Sequence, residues 1–104
     1  TCVRVPVLVS HAESLNIEFE KEFTLEKIIN LLNNAEGCKV VNDQKDGGYM
    51  TQLEAAGKDE TFISRIRKDN TNEKAINLWI VSDNLLRGAA LNAVEIAEAY
   101  IKTK

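Results

Sequence analysis

Two cysteines, one proline and one histidine stand among the 104 residues, and each shortage excludes something. Cys2 and Cys38 are too few for a disulfide framework of the secreted kind, and neither stands in a paired metal-ligand spacing. No apolar run approaches the ~18 residues of a membrane span, and no signal-peptide layout is present. A reducing, cytoplasmic setting is the expectation. Charge of one sign is also lacking, with 13 basic residues against 16 acidic ones. The densest basic spot, Arg65, Arg67 and Lys68, lies beside Asp59, Glu60 and Asp69. A nucleic-acid binder needs a clustered positive face to neutralise phosphates, so nucleic acid is not an expected partner. Gly47-Gly48 stands alone, without a dinucleotide fingerprint or a phosphate-binding loop around it.

What is present is the composition of one ordinary globular domain, 44% hydrophobic and 28% charged, with no repeat and no linker. The chain opens Thr-Cys-Val-Arg-Val, without Met and directly in a strand pattern, which reads as a fragment. Val3, Val5, Val7 and Val9 alternate as one side of a strand over 2–9, and Pro6, which has no N–H to donate, places it at an edge. Leu15, Ile17 and Phe19 alternate in a second extended segment over 13–23. Thr24 is placed to cap a helix over 25–35 whose stripe is Leu25, Ile28, Ile29 and Leu32, with Gly37 to stop it. Val40 and Val41 suggest a short strand, and 43–57 reads as a loop. Residues 61–67 alternate Phe62, Ser64 and Ile66 against Ile63, Arg65 and Arg67. The nearly continuous apolar run of Ile76–Val81 marks a central strand covered on both faces. Ser82 or Asp83 caps a last helix with the stripe Leu86, Ala89, Ala90, Ala93, Val94, Ala97 and Ile101. The expected class is α+β: a mixed sheet of about five strands with helices over 25–35 and 85–101 packed on it.

Few residues are candidates for chemistry. His11, the single histidine, sits in the connection after the first strand, where a rigid scaffold holds active groups, and imidazole is the natural acid/base near neutral pH. Taken alone, a lone histidine is more often a surface or satisfied core side chain. Arg4, inside an apolar strand, suits a carboxylate or phosphate by its planar fork, or is an edge-strand arginine reaching water. Cys2 precedes His11 by nine residues of extended chain, up to ~30 Å, and reads as a small core residue rather than a nucleophile. Asp83-Asn84-Leu85 followed by Arg87-Gly88-Ala89-Ala90 opens a helix whose N–H groups and small residues suit a cofactor edge, or simply a cap followed by packing residues. On one straight strand Arg4 and His11 face opposite sides, so both serve one ligand only if the chain bends near Ser10 or Arg4 reaches around.

In this order the pieces resemble the C-terminal half of aspartate-semialdehyde dehydrogenases. The likeness is carried by Arg4-Val-Pro-Val with His11 seven residues past the arginine, Leu53-Glu-Ala-Ala-Gly-Lys-Asp-Glu, Arg65-Ile-Arg, Asn77-Leu-Trp-Ile-Val, and Asp83-Asn-Leu with Gly88-Ala-Ala-Leu-Asn-Ala. The resemblance implies a fold like the C-terminal domain of glyceraldehyde-3-phosphate dehydrogenase-like enzymes. It also implies a homodimer formed through the sheet, and Phe62 and Trp79 lie on strands able to supply apolar area. The implied reaction reduces L-aspartyl 4-phosphate to L-aspartate 4-semialdehyde with NADPH, releasing phosphate, on the route to lysine, threonine, methionine and isoleucine. The family's nucleophilic cysteine and dinucleotide-binding half lie N-terminal to this region, so 1–104 is expected to be inactive alone. By resemblance His11 is the acid/base, Arg4 binds the substrate carboxylate and Asn84 contacts NADP; no metal is implied. Many relatives carry Gly-His-Ser-Glu and Tyr-Pro-Thr-Pro where this chain has Ser10-His11-Ala12-Glu13 and Tyr49-Met50-Thr51-Gln52, which leaves the loop conformation open. The rival readings are half of an N-acetyl-glutamyl-phosphate reductase and a non-catalytic dimerisation module.

Overall fold

Five strands make one mixed sheet in the computed structural model, which describes residues 1–103. They are β1 (Cys2–Val3), β2 (His11–Glu18), β3 (Cys38–Val40), β4 (Thr61–Lys68) and β5 (Ala75–Ser82). Their order is β1-β2-β5-β4-β3, with only β3 and β4 parallel. The apolar run of β5 therefore does occupy the middle of the sheet. It is covered on both sides, with Val81 in one core and Ile76 and Leu78 in the other.

The expected strand over 2–9 stops at Val3. Pro6 is the reason: it removes a ladder donor, and the Val7 N–H closes a three-residue turn onto the Val5 carbonyl at 2.8 Å across it. Val5 and Leu8 consequently face solvent, Leu8 fully. The short β1 is at the sheet edge, as a proline so close by requires.

Helix α1 (Leu25–Asn34) begins where its cap places it, the Thr24 hydroxyl accepting from the Lys27 N–H at 3.3 Å. Its stripe of Leu25, Ile28, Ile29 and Leu32 packs on the sheet face bearing Ile63, Ile66, Ile76 and Leu78. The opposite face carries Ala12, Phe62 and Val81 beneath Ala55. That last residue belongs to α2 (Gln52–Ala55), a helix inside the segment expected to be loop. Its cause is local. The Thr51 side chain accepts from the Glu54 N–H while the Glu54 carboxylate accepts from the Thr51 N–H, a reciprocal cap readable as Thr-x-x-Glu.

Strand β4 departs from simple alternation. Its register with β5 shifts between Ser64 and Arg67, and Arg65 takes φ 55°. The bulge adds one residue, so Phe62 and Ser64 lie on the α2 side while Ile63 and Ile66 both lie on the α1 side. Phe62 is 2% exposed within the chain's own core and so is not available to a subunit contact, contrary to expectation. Trp79 is only partly buried and donates its indole N–H to the Met50 carbonyl at 2.9 Å.

The last helix is capped as its sequence promises. The Asp83 carboxylate accepts from Leu85 N–H at 2.8 Å and Leu86 N–H at 3.3 Å. A π-helical turn, Leu86–Ala90, leads into α3 (Leu91–Lys102). Yet α3 buries none of its residues, and Val94, Ile96 and Ile101 stay exposed, so its apolar stripe does not pack on this sheet. The Cα radius of gyration, 14.9 Å, exceeds the ~13 Å of a compact domain this long, as a projecting helix requires.

Candidate functional site

Antiparallel pairing of β2 with β5 sets His11 opposite Ser82. The first residue of one strand therefore meets the last residue of the other, next to Asp83-Asn84. Pairing of β1 with the start of β2 brings in the N-terminal segment, with Val3 opposite Ala12. A cavity of about 300 Å³ forms at this junction, and Arg4, Ser10, His11, Gln52 and Asn84 all line it.

The odd spacing of Arg4 and His11 is thus no obstacle. The turn across Pro6 and the left-handed backbone of Ser10, at φ 76°, fold residues 4–10 around the cavity instead of along a strand. The Ser10 bend is held from the far end of the chain, its N–H donating to Asn84 Oδ1 at 2.7 Å. The ring of His11 lies against the π-helical turn: a Cβ on Gly88 would stand 3.9 Å from His11 Cε1 and 3.7 Å from Asn84 Cβ. Arg4 and His11 are both exposed, and neither is held by a salt bridge among the described residues.

Asp83 joins the two sides of the cavity. Its second carboxylate oxygen accepts from the Gly57 N–H at 2.7 Å, just past α2, so the helix carrying Gln52 is tied to the turn carrying Asn84. Asp83 is buried, and the N–H groups of Gly57, then of Leu85 and Leu86, hold its carboxyl below the usual value against the opposing effect of burial.

Two expectations need correction. Cys2 is exposed, not a core residue, and it lines the same cavity as His11, because β1 doubles back against β2 and cancels the extended separation. Gln52 and Ser10 were not expected at the site. The Thr51-x-x-Glu54 cap announces the helix that carries Gln52, but no sequence signal places that helix over the cavity. Among the described residues no group of three or more His, Cys, Asp or Glu side chains is arranged to hold a metal ion, and no helix is long and apolar enough to cross a membrane.

Residues 1–87 match the family model described as semialdehyde dehydrogenase, dimerisation domain. A curated relative, the aspartate-semialdehyde dehydrogenase of Rickettsia bellii, is 48% identical over 103 residues, 99% of this chain and 30% of the relative. That of Aquifex aeolicus is 44% identical over 102 residues, 98% of this chain and 30% of the relative. The chain therefore spans about a third of the length of the relatives it matches. Among solved structures, aspartate semialdehyde dehydrogenase II of Vibrio cholerae complexed with ASA superposes with a TM-score of 0.85 at 36% identity, over 95% of this chain and 29% of that one.

Proposed function

The chain belongs to the semialdehyde dehydrogenase family, whose dimerisation domain it carries, and from that premise we propose that it is the C-terminal portion of an NADP-dependent aspartate-semialdehyde dehydrogenase. The reaction is the reduction of L-aspartyl 4-phosphate to the semialdehyde with release of phosphate, in a cytoplasmic biosynthetic route. One observation carries the reading: Arg4, His11 and Asn84, 80 positions apart at the extremes, line a single cavity.

Each side chain has work suited to it. The Arg4 guanidinium, exposed and without an ion pair among the described residues, binds the substrate carboxylate through its two-pronged fork. Anchored at that end, the reacting carbonyl is held at a fixed place relative to the imidazole. His11 accepts and returns the proton of the attacking thiol and of the tetrahedral adduct it forms. The thiol comes from the N-terminal portion. Cys2, on an edge strand beside the carboxylate anchor, is not the nucleophile in this reading.

NADPH, when bound, supplies the hydride. Asn84 fits one edge of its site, since Ser10 occupies only the Oδ1 of the amide and leaves the N–H₂ group as a donor. No glycine-rich phosphate cradle occurs in this sequence, so the rest of that site belongs to the N-terminal portion. The names of the relatives favour the aspartyl over the N-acetyl-glutamyl substrate. We assign the sheet face around Tyr49, Arg65 and Trp79, an open recess on the α2 side, to the contact of a homodimer, which sedimentation at micromolar concentration checks.

The test is complementation. Residues 1–104 are co-expressed with the N-terminal portion of the Rickettsia bellii relative, and NADPH formation from aspartate semialdehyde and phosphate is followed. The mixture is expected to be active, the chain alone inactive, and Cys2→Ala in the mixture close to unchanged. Activity from residues 1–104 alone, or its loss on Cys2→Ala, overturns the division of parts.

A further inference from the structure

Gln52 is 6% exposed, on a four-residue helix at the cavity wall, and its Nε2 is buried without a hydrogen-bond partner among the described residues. The hydroxyl of Ser10, lining the same cavity, is buried and unpartnered too. Buried amides are nearly always paired, because leaving one unpaired forfeits its bonds to water with nothing in return. Two such groups on residues that line one cavity with Arg4, whose guanidinium has no ion pair among the described residues, are donors suited to an acceptor bound there.

We propose that Gln52, with the Ser10 hydroxyl, is a further substrate-binding residue of this site, its side-chain N–H₂ donating to the carboxylate that Arg4 pairs with. The inference rests on the reading of Arg4 above. Charge selects a carboxylate there: Arg4 satisfies two of its lone pairs in a fork, and neutral donors complete the rest without adding a second cation. Helix α2 holds Gln52 from both ends. The Thr51–Glu54 cap fixes its start, and Asp83 fixes the Gly57 N–H just beyond its end. The amide is held ready, so little side-chain freedom is lost when the ligand arrives.

Stability and binding separate this role from a structural one. An unpaired buried amide weakens the fold, so Gln52→Met is expected to unfold at the same or higher urea concentration than the parent while binding more weakly. The ¹⁵N-labelled chain is titrated with L-aspartate, and in a second arm with inorganic phosphate, following the Gln52 side-chain N–H₂ resonances and the Arg4 and His11 backbone amides. Saturable shifts of all of these with L-aspartate and not with phosphate are expected, with Kd raised roughly ten- to a hundredfold in Gln52→Met. If Arg4→Lys weakens binding and Gln52→Met does not, the reading of Arg4 stands and this inference falls. If neither changes binding, or L-aspartate moves none of these resonances, both fall. A preference for phosphate at Gln52, or a Gln52→Met chain less stable than the parent, overturns the assignment as well.

Discussion

Asn84 accepts a hydrogen bond from the Ser10 N–H at 2.7 Å, across 74 positions of sequence. The contact locks the left-handed bend that turns the chain from Arg4 toward His11. In the complemented enzyme, Asn84→Ala should release the bend and lower kcat about a hundredfold, since misplacement of a catalytic group by an ångström costs that much. Asn84→Asp keeps the acceptor and loses the N–H₂, so it should keep most of kcat and raise KM for NADP. Steady-state kinetics of the two variants distinguish the positioning of His11 from contact with the cofactor.

His11→Ala should lower kcat by ~10²–10⁴ with little change in KM, the usual consequence of removing a general acid/base. Arg4→Lys should act mainly on KM for the semialdehyde, because an ammonium is a point charge and does not reproduce the bidentate fork. Near-normal turnover in His11→Ala removes the role given to it.

Asp83 makes the fold sensitive to acid. Its folded-state pKa lies below the ordinary 3.8, so its bonds to Gly57, Leu85 and Leu86 stabilise the chain fully above that value. As pH falls from about 4 through the lower folded-state value the carboxylate takes a proton, and that contribution is lost. Asp83→Asn presents N–H₂ to one of these N–H groups and should cost about 1–2 kcal/mol at neutral pH. Urea midpoints measured from pH 7 to pH 2.5 should show the difference between parent and variant shrinking toward the acid end.

Gly37 and Gly47 both have left-handed backbones, with φ of 75° and 72°. Around Gly47 a methyl group would meet nothing within 4 Å, whereas at Gly37 it would stand 2.6 Å from the Arg87 guanidinium. That guanidinium donates to the Asp59 carbonyl at 2.9 Å and is paired with Glu95. Gly47→Ala should therefore cost about 1 kcal/mol from backbone strain alone. Gly37→Ala should cost roughly another 1 kcal/mol by displacing Arg87 from its partners. Equal losses in thermal unfolding would mean that Arg87 moves aside freely.

Local chemistry made much of the fold legible in advance. Thr24 and Asp83 name their helix starts because a cap bonds within three residues of itself. Ile76–Val81 declares a central strand because burial on both faces leaves little place for polar residues, Asn77 being the exception and bonded to Asn16 and Asp69. The alternating valines over 2–9 do not make one strand, since alternation carries the same signal whether or not Pro6 permits a ladder. Alternation likewise misplaced Ile66, because a bulge at Arg65 reverses the faces beyond it without any mark in side-chain pattern. Helix α3 shows the converse: its apolar stripe is plain in the sequence, yet Val94 and Ile101 stay exposed and none of its residues is buried among the described residues.

Residue identity made His11 and Arg4 candidates and the helix start at Asn84 a weaker one, and only the family resemblance gave the three their roles. Their meeting at one cavity was decided by the pairing of β2 with β5 and by the bend at Ser10. Both are non-local: strand register depends on which faces can be buried together, and the bend depends on a hydrogen bond from the other end of the chain. Gln52 belongs wholly to that second kind. In the sequence it is one polar residue in a capped turn, and only packing of α2 over the sheet buries its amide and leaves it without a partner among the described residues.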